Sequence, residues 1–142
     1  MIVRVVRLRW TLIGLALSGL ASHAASPPPK FDTTIDCSRW EHLNNYEMNQ
    51  CSGRANAAAD TALNAAYGKL MAKMGPGDRD LLVAAERAWL AWRDRECDFE
   101  AQGLGGYEKS GTGYSLEWSQ CRLGLTKARI TQLQGYLRDA PR

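Results

Sequence analysis

The sequence predicts a small all-α domain of three main helices, with antiparallel neighbours, stapled by two disulfides. Apolar residues recur at helical spacing in three long stretches, and no stretch shows sustained strand alternation. Four cysteines follow an N-terminal segment typical of exported proteins, in which paired cysteines are common. Together these observations favour one helical domain rather than a sheet-containing fold.

Residues 1–24 are predicted to be a cleaved signal peptide. Three arginines (Arg4, Arg7 and Arg9) precede the apolar run 11–21, and a small-residue pattern ends at Ala24, the expected cleavage site. The run is shorter than the ~20 residues that span a bilayer, although an uncleaved anchor is the alternative. We therefore expect a periplasmic or secreted protein with no membrane span in the mature chain.

The charge of the mature chain excludes one class of partner. The 142 residues contain 18 Lys and Arg against 15 Asp and Glu, a net charge of +3. The three signal arginines account for that whole excess, so the mature chain is formally neutral. No basic stripe remains, and no nucleic-acid partner is expected.

The four cysteines, Cys37, Cys51, Cys97 and Cys121, all survive the predicted cleavage. A zinc site is the alternative to two disulfides, but no two cysteines have the short spacing of such sites. The one histidine of the mature chain is His42. We therefore predict no metal and no cofactor.

The helical domain is predicted to span residues 37–142, after an extended tether at residues 25–36 that contains three consecutive prolines. The first helix is expected from about Asn45 to Met74, with one apolar side formed by Ala59, Leu63, Ala66, Tyr67, Leu70 and Met74. The sequence Gly75-Pro76-Gly77 should end it.

The second helix is predicted to begin at Asp78 as N-cap and to run to about Glu100. Its expected core side carries Leu82, Ala85, Trp89 and Trp92, with Leu81 and Ala88 beside them. The opposite side carries Arg87, Asp94 and Asp98. The two tryptophans are interpreted as core residues, with a sugar-stacking or partner-binding surface as the alternative.

A loop is predicted over Gln102–Ser115, because five glycines in this segment disfavour a helix. The third helix should then run from about Leu116 to Leu137. Its expected core side contains Leu125, Ile130, Leu133, Tyr136 and Leu137.

Four charged residues fall on or beside faces expected to be apolar: Asp60, Arg93, Glu96 and Arg129. Charges that face a core must be paired, so we predict a polar cluster between the helices. Its expected role is to fix helix register; a ligand or catalytic pocket is the alternative, favoured if the cluster opens to solvent. No Ser-His-Asp or Cys-His arrangement is available, and Glu96 and Glu100 on one helix seldom form a glycosidase pair, so no enzyme activity is expected.

The glycine-rich loop is the candidate binding surface, because a rigid scaffold holds both of its ends. Tyr107, Ser110, Tyr114 and Trp118 are the candidate contact residues, since aromatic side chains dominate protein interfaces. A bond between Cys97 and Cys121 would close this loop. A flexible connection with its tyrosines packed on the helices is the alternative.

Several motifs in one order resemble the lysozyme inhibitor LprI family. They are Met48-Asn49-Gln50-Cys51, Asp60 to Tyr67, Glu86 to Cys97 with its two tryptophans, Gly105-Gly106, Cys121 and Thr126 to Arg129. The resemblance covers Cys37 to Leu137. It implies a secreted or periplasmic helical domain, the pairing Cys37–Cys51 and Cys97–Cys121, and binding to lysozyme.

Two features depart from the family pattern. No lipobox cysteine follows the apolar run, and residues 107–114 replace a shorter serine-containing turn. The segment Ser110-Gly111-Thr112-Gly113-Tyr114 is similar to the S-G-x-x-Y segment with which an unrelated β-barrel group of inhibitors enters the lysozyme cleft.

Three functions are compared. The first is a binding protein that blocks lysozyme or a related muramidase; the second is an envelope scaffold or interaction protein with another partner. The third, a hydrolase, is disfavoured by the missing catalytic residues. Formal neutrality weakens the first slightly, because lysozymes are often strongly cationic and an acidic inhibitor would be steered to them.

Overall fold

The computed structural model describes residues 30–140 and contains three long helices in this part of the chain. They are α1 (Asn45–Lys73), α2 (Pro76–Asp98) and α3 (Thr112–Asp139). A short 3₁₀ turn (Trp40–His42) precedes α1, and a π-helical turn (Phe99–Leu104) continues α2. Within residues 30–140 there is no strand, so the predicted all-α class is confirmed. The predicted signal peptide lies outside the described residues.

Helix α1 begins and ends close to its predicted limits. Asn44 caps its N-terminus in a capping box, in which the Asn44 side chain accepts from the Glu47 amide and the Glu47 carboxylate accepts from the Asn44 amide. The predicted apolar side is confirmed, because the helix buries a stripe of Ala59, Leu63, Ala66 and Leu70.

Helix α2 begins three residues before the predicted Asp78 N-cap. Gly75 is the N-cap and Pro76 occupies the first helical position. Proline suits this position because its fixed φ is already helical and it has no N–H to leave unpaired. Asp78 lies instead in the first turn, where its charge is favourable near the helix N-terminus.

The core side of α2 differs from the prediction. Its buried residues are Glu86, Arg93 and Cys97, and Trp89 packs beside them against the core. Trp92, predicted to be buried, is 48% exposed, and Leu81 is 71% exposed. The buried face is rotated away from Trp92 because the charged side chains of this face are neutralised by α1 and α3.

Half of the predicted glycine-rich loop, residues 102–104 and 112–115, is helical. The chain leaves helical geometry only after the π-helical turn and re-enters it at Thr112, four residues before the predicted start of α3. Gly106 has a φ of +67°, a conformation that favours glycine. Three of the other four glycines lie against aromatic rings: Phe99 packs on Gly103, and Tyr107 packs on Gly105 and Gly113.

Consecutive helices run in opposite directions, as predicted, so α1 and α3 are parallel. These two form the closest helix pair, and α2 lies nearer to α3 than to α1. The central core contains Leu63, Ala66, Leu70 and Leu133, with Trp89 and Ile130 partly buried against it. Tyr136, predicted on the core side of α3, is 46% exposed.

Two disulfides have the pairing that the family resemblance implies. Cys37 is bonded to Cys51 and Cys97 to Cys121, with Cα–Cα distances of 5.6 and 5.5 Å. The first joins the N-terminal segment to α1, and the second joins the end of α2 to α3. No helix of the described residues is long and apolar enough to cross a membrane.

Residues 31–36, which belong to the predicted tether, lie against α1. The amide of Asp32 donates to Gln50 Oε1, and Arg54 Nη1 donates to the carbonyls of Asp32 and Ile35. The Phe31 ring packs so closely on Gly53 that a Cβ there would overlap it. These contacts give this part of the segment a fixed position.

Candidate functional site

The structure gives ion-pair partners to Asp60, Arg93 and Arg129, three of the four residues predicted to form a polar cluster. The Arg93 side chain is buried, lies 3.8 Å from Asp60 and 2.8 Å from Asp94, and donates to the Thr126 hydroxyl. Arg122 adds a second contact, with Nη2 2.7 Å from Asp60. Helices α1, α2 and α3 are thereby linked through charge-assisted hydrogen bonds.

Arg129 forms a separate buried pair with Glu86. Its Nε and Nη2 donate to the same oxygen, Glu86 Oε2, at 3.0 and 2.8 Å. The guanidinium groups of Arg93 and Arg129 lie 5.2 and 5.6 Å from the Trp89 ring, so this ring separates the two groups of charges. The side chains of Arg93, Arg129 and Glu86 are buried, whereas those of Asp60 and Asp94 are 36% and 50% exposed.

Glu86 was not predicted as a member of the cluster, and Glu96, which was predicted, is not the partner of Arg129. A spacing in the sequence could have identified Glu86: it precedes Arg93 by seven residues, two helical turns. Arg122 and Arg129 on α3 have the same spacing. The charged pair Glu86 and Arg93 on α2 and the charged pair Arg122 and Arg129 on α3 therefore lie at matching intervals on helices that pack together.

The titratable side chains of residues 30–140 include no group of three or more that could hold a metal ion. His42 is exposed and lies 3.5 Å from the exposed Glu41 carboxylate. The cysteines are all in disulfides.

The junction of α2 and α3 presents apolar side chains to solvent. Leu104 is 73% exposed, Phe99 54% and Tyr107 41%. We name residues 98–110 the tip. The Cys97–Cys121 disulfide closes the tip at its base, and the backbone amides of residues 105–107 bond to carbonyls of the π-helical turn. The tip is therefore joined to α3 by a covalent bond at its base and is bonded to the π-helical turn by its backbone.

Tyr114 and Trp118, two of the four predicted loop residues, lie behind the tip in α3. Tyr114 is buried, and its hydroxyl donates a hydrogen bond to Asp98. That bond, helped by Lys109, lowers the pKa of Asp98. Burial and the Asp98 carboxylate raise the pKa of Tyr114 to about 12. This pair attaches the tip to α3.

The other two predicted loop residues, Tyr107 and Ser110, are exposed. The segment similar to S-G-x-x-Y is divided, because Ser110 and Gly111 precede α3 whereas Thr112 to Tyr114 form its first turn. Its serine therefore faces solvent and its tyrosine faces the protein.

The family model described as Lysozyme inhibitor LprI matches residues 37–133. An uncharacterized protein of Rhizobium meliloti (strain 1021) is 27% identical over 133 residues, which cover 84% of this chain and 86% of that protein. No solved structure matches the chain.

Proposed function

Because this chain belongs to the lysozyme inhibitor LprI family, we propose that it binds a lysozyme or a related muramidase and blocks cell-wall hydrolysis. The single observation that carries the proposal is the family match, which spans both disulfides and nearly all of the three helices. The protein would act by occlusion, without chemistry of its own. We also propose that it is exported and acts in the periplasm or outside the cell, where disulfides form and lysozymes meet their substrate.

We propose that the tip is the contact surface. Its exposed anchors are Phe99, Leu104 and Tyr107, and Ser110 is exposed beside them. Exposed aromatic and aliphatic side chains that lie close together at one end of the helices suit an apolar or aromatic-lined partner surface such as an enzyme cleft. The disulfide at its base supports this role, since a surface held in shape before binding loses less entropy on association.

The charge of the tip supports a cationic partner. The tip contains three acidic residues and one basic residue, Lys109, so its net charge is −2. The acidic residues are Asp98, Glu100 and Glu108. The predicted mature chain as a whole is formally neutral. Glu100 and Glu108 are exposed. Opposite charges on two surfaces accelerate their encounter, so a strongly basic lysozyme is the partner that this surface favours.

The test is clearing of a cell-wall suspension by lysozyme, followed as loss of turbidity, with and without the purified protein. We expect protection that saturates as the protein is added. Leu104→Ala should raise the concentration needed for half protection about tenfold, since a buried leucine contributes roughly 1.5–3 kcal/mol. Leu81→Ala is the matched control, because Leu81 is equally exposed (71%) but lies at the other end of the domain.

Two outcomes separate the parts of the proposal. Absence of protection at a large molar excess would reject lysozyme inhibition and favour an envelope scaffold with another partner. Protection that Leu104→Ala and Leu81→Ala leave equally intact would keep inhibition but reject the tip as its surface.

A further inference from the structure

A small groove lies at the end of the helices opposite the tip, where α1 meets α2 and α3 ends. Its cavity volume is about 300 Å³, which accommodates side chains but no helix or strand. We name it the end groove. Its lining consists of aliphatic side chains and one aromatic ring, from Leu70, Met74, Leu81, Leu82, Ala85 and Tyr136.

The end groove favours apolar side chains over a polar ligand. Its lining side chains contain one oxygen, the Tyr136 hydroxyl, which already accepts from Gln132 Nε2 at 2.8 Å. The groove is nevertheless open to solvent, since Leu81 is 71% exposed and Tyr136 46%. Apolar side chains of another molecule would remove this surface from water, which is favourable.

The charged residues at this end of the bundle have a net charge opposite in sign to that of the tip. Residues 69–80 and 136–139 contain four basic and three acidic residues, a net charge of +1, whereas the tip has −2. The basic residues are Lys69, Lys73, Arg79 and Arg138, and the acidic residues are Asp78, Asp80 and Asp139. An apolar group with acidic neighbours therefore complements this end.

The tip of the same chain has both of these properties. Leu104 and Phe99 are 73% and 54% exposed, and Glu100 and Glu108 are exposed near them. The two surfaces lie at opposite ends of the bundle, and α1 alone, with 29 residues, is about 40 Å long. The tip therefore cannot reach the end groove of its own chain, whereas the tip of a second copy can.

We propose that the tip of one copy docks into the end groove of the next, with Leu104 as the inserted side chain. The two surfaces differ, so the contact is heterologous and leaves a free tip and a free groove at the ends of every assembly. Chains therefore associate head to tail, and the assemblies lengthen with concentration. Because the contact is small, its Kd is expected to be on the order of 100 µM.

The test is the weight-average mass of the purified protein in sedimentation equilibrium, at about 10 µM to about 1 mM. We expect the mass to rise above that of one chain, and to rise less at high salt, because salt screens the opposite charges. Ala85→Glu should keep the protein monomeric, since Ala85 is exposed and lines the end groove. Ala84→Glu is the matched control, because it adds the same charge at an exposed position of α2 outside the lining.

A mixture of two blocked variants distinguishes a head-to-tail contact from a symmetric one. Leu104→Lys removes the apolar anchor of the tip and leaves the end groove intact, whereas Ala85→Glu leaves the tip intact. Each variant alone should stay monomeric. Their mixture should reach the mass of two chains and no more, because each pair has one working tip and one working groove.

Three results would overturn the proposal. They are a single-chain mass of the unsubstituted protein at every concentration, equal masses of the Ala84→Glu and Ala85→Glu variants, and a mixture that stays monomeric. None of them depends on whether the protein inhibits lysozyme. The turbidity assay is run far below the expected Kd, where the tips are free, so Leu81→Ala remains a control for lysozyme binding there.

Discussion

Removing one member of the Glu86–Arg129 ion pair is expected to lower the free energy of unfolding by about 3–5 kcal/mol. The two side chains are 10% and 9% exposed. Arg129→Met leaves the Glu86 carboxylate buried without its two donors, while Oε1 already lacks a partner among the described residues. Glu86→Leu should cost less, about 3 kcal/mol, because Arg129 keeps its bond to Gln132 and its position near the Trp89 ring.

The double variant Glu86→Leu/Arg129→Met separates the pair from its surroundings. Replacing both charges by apolar side chains of similar volume should change stability by less than about 1 kcal/mol, because no charge is then left unpaired. Urea unfolding followed by circular dichroism, with the disulfides intact, gives all four free energies. For a domain of this size, a 3 kcal/mol loss lowers Tm by roughly 12 °C.

Two results would refute this reasoning. One is a cost below about 1 kcal/mol for Arg129→Met, which would mean that the carboxylate is solvated despite its burial. The other is a double variant as unstable as the sum of the single variants, which would mean that shape rather than charge pairing matters at these positions.

Three further predictions concern the N-terminal segment, the tip and the disulfides. Tyr114→Phe should reduce the loss of stability on acidification, measured as Tm from pH 6 to 2. The Tyr114 hydrogen bond lowers the pKa of Asp98, so the stability that this bond contributes is present above about pH 4 and is lost as the pH falls through the lowered pKa. Gly53→Ala should displace the Phe31 ring and raise the protease sensitivity of the N-terminal segment, with little change in helix content by circular dichroism. Reducing both disulfides should lower the free energy of unfolding by about 3 kcal/mol for each closed loop of 14 and 24 residues, measured by urea unfolding with and without reductant.

Helix α1 could be predicted almost residue by residue because its local signals agree with its packing. A capping residue at Asn44, a stripe of small and aliphatic residues, and the Gly75-Pro76 stop all favour the same helix. In α2 the signals disagree. Hydrophobic spacing favours a face centred on Trp89 and Trp92, whereas the real face carries Glu86 and Arg93. Periodicity cannot assign a charged residue to a core, because its burial depends on a partner from another helix.

Sequence-based prediction is limited in the same way at the glycines in and beside the tip, because their conformation depends on packing. Propensity predicted a long loop because glycine costs up to ~1 kcal/mol in a helix. At Gly103 and Gly113, however, the missing side chain leaves room for the Phe99 and Tyr107 rings. The packing of these rings offsets the propensity cost, so helical geometry extends into both ends of the predicted loop.

The aromatic candidates of the loop could be selected by composition but not divided into exposed and buried residues. Tyr107 and Tyr114 have the same chemistry, and both lie near glycines. Their difference comes from Asp98, one helical turn after Asp94, which accepts the Tyr114 hydroxyl and draws that ring inward. A sequence pattern does not contain this contact, because it joins residues on two helices.

The charges of the chain are unevenly distributed, so formal neutrality does not prevent electrostatic attraction of a cationic partner to one end of the bundle. Within the predicted mature chain, which is formally neutral, the tip has a net charge of −2, whereas residues 69–79, at the opposite end of the bundle, have a net charge of +2. The Debye length is ≈ 8 Å at physiological ionic strength, and α1 alone, with 29 residues at 1.5 Å rise, is several times longer. A partner that approaches the tip is therefore screened from the positive end. It meets an acidic surface, and the net charge of the whole chain does not describe that encounter.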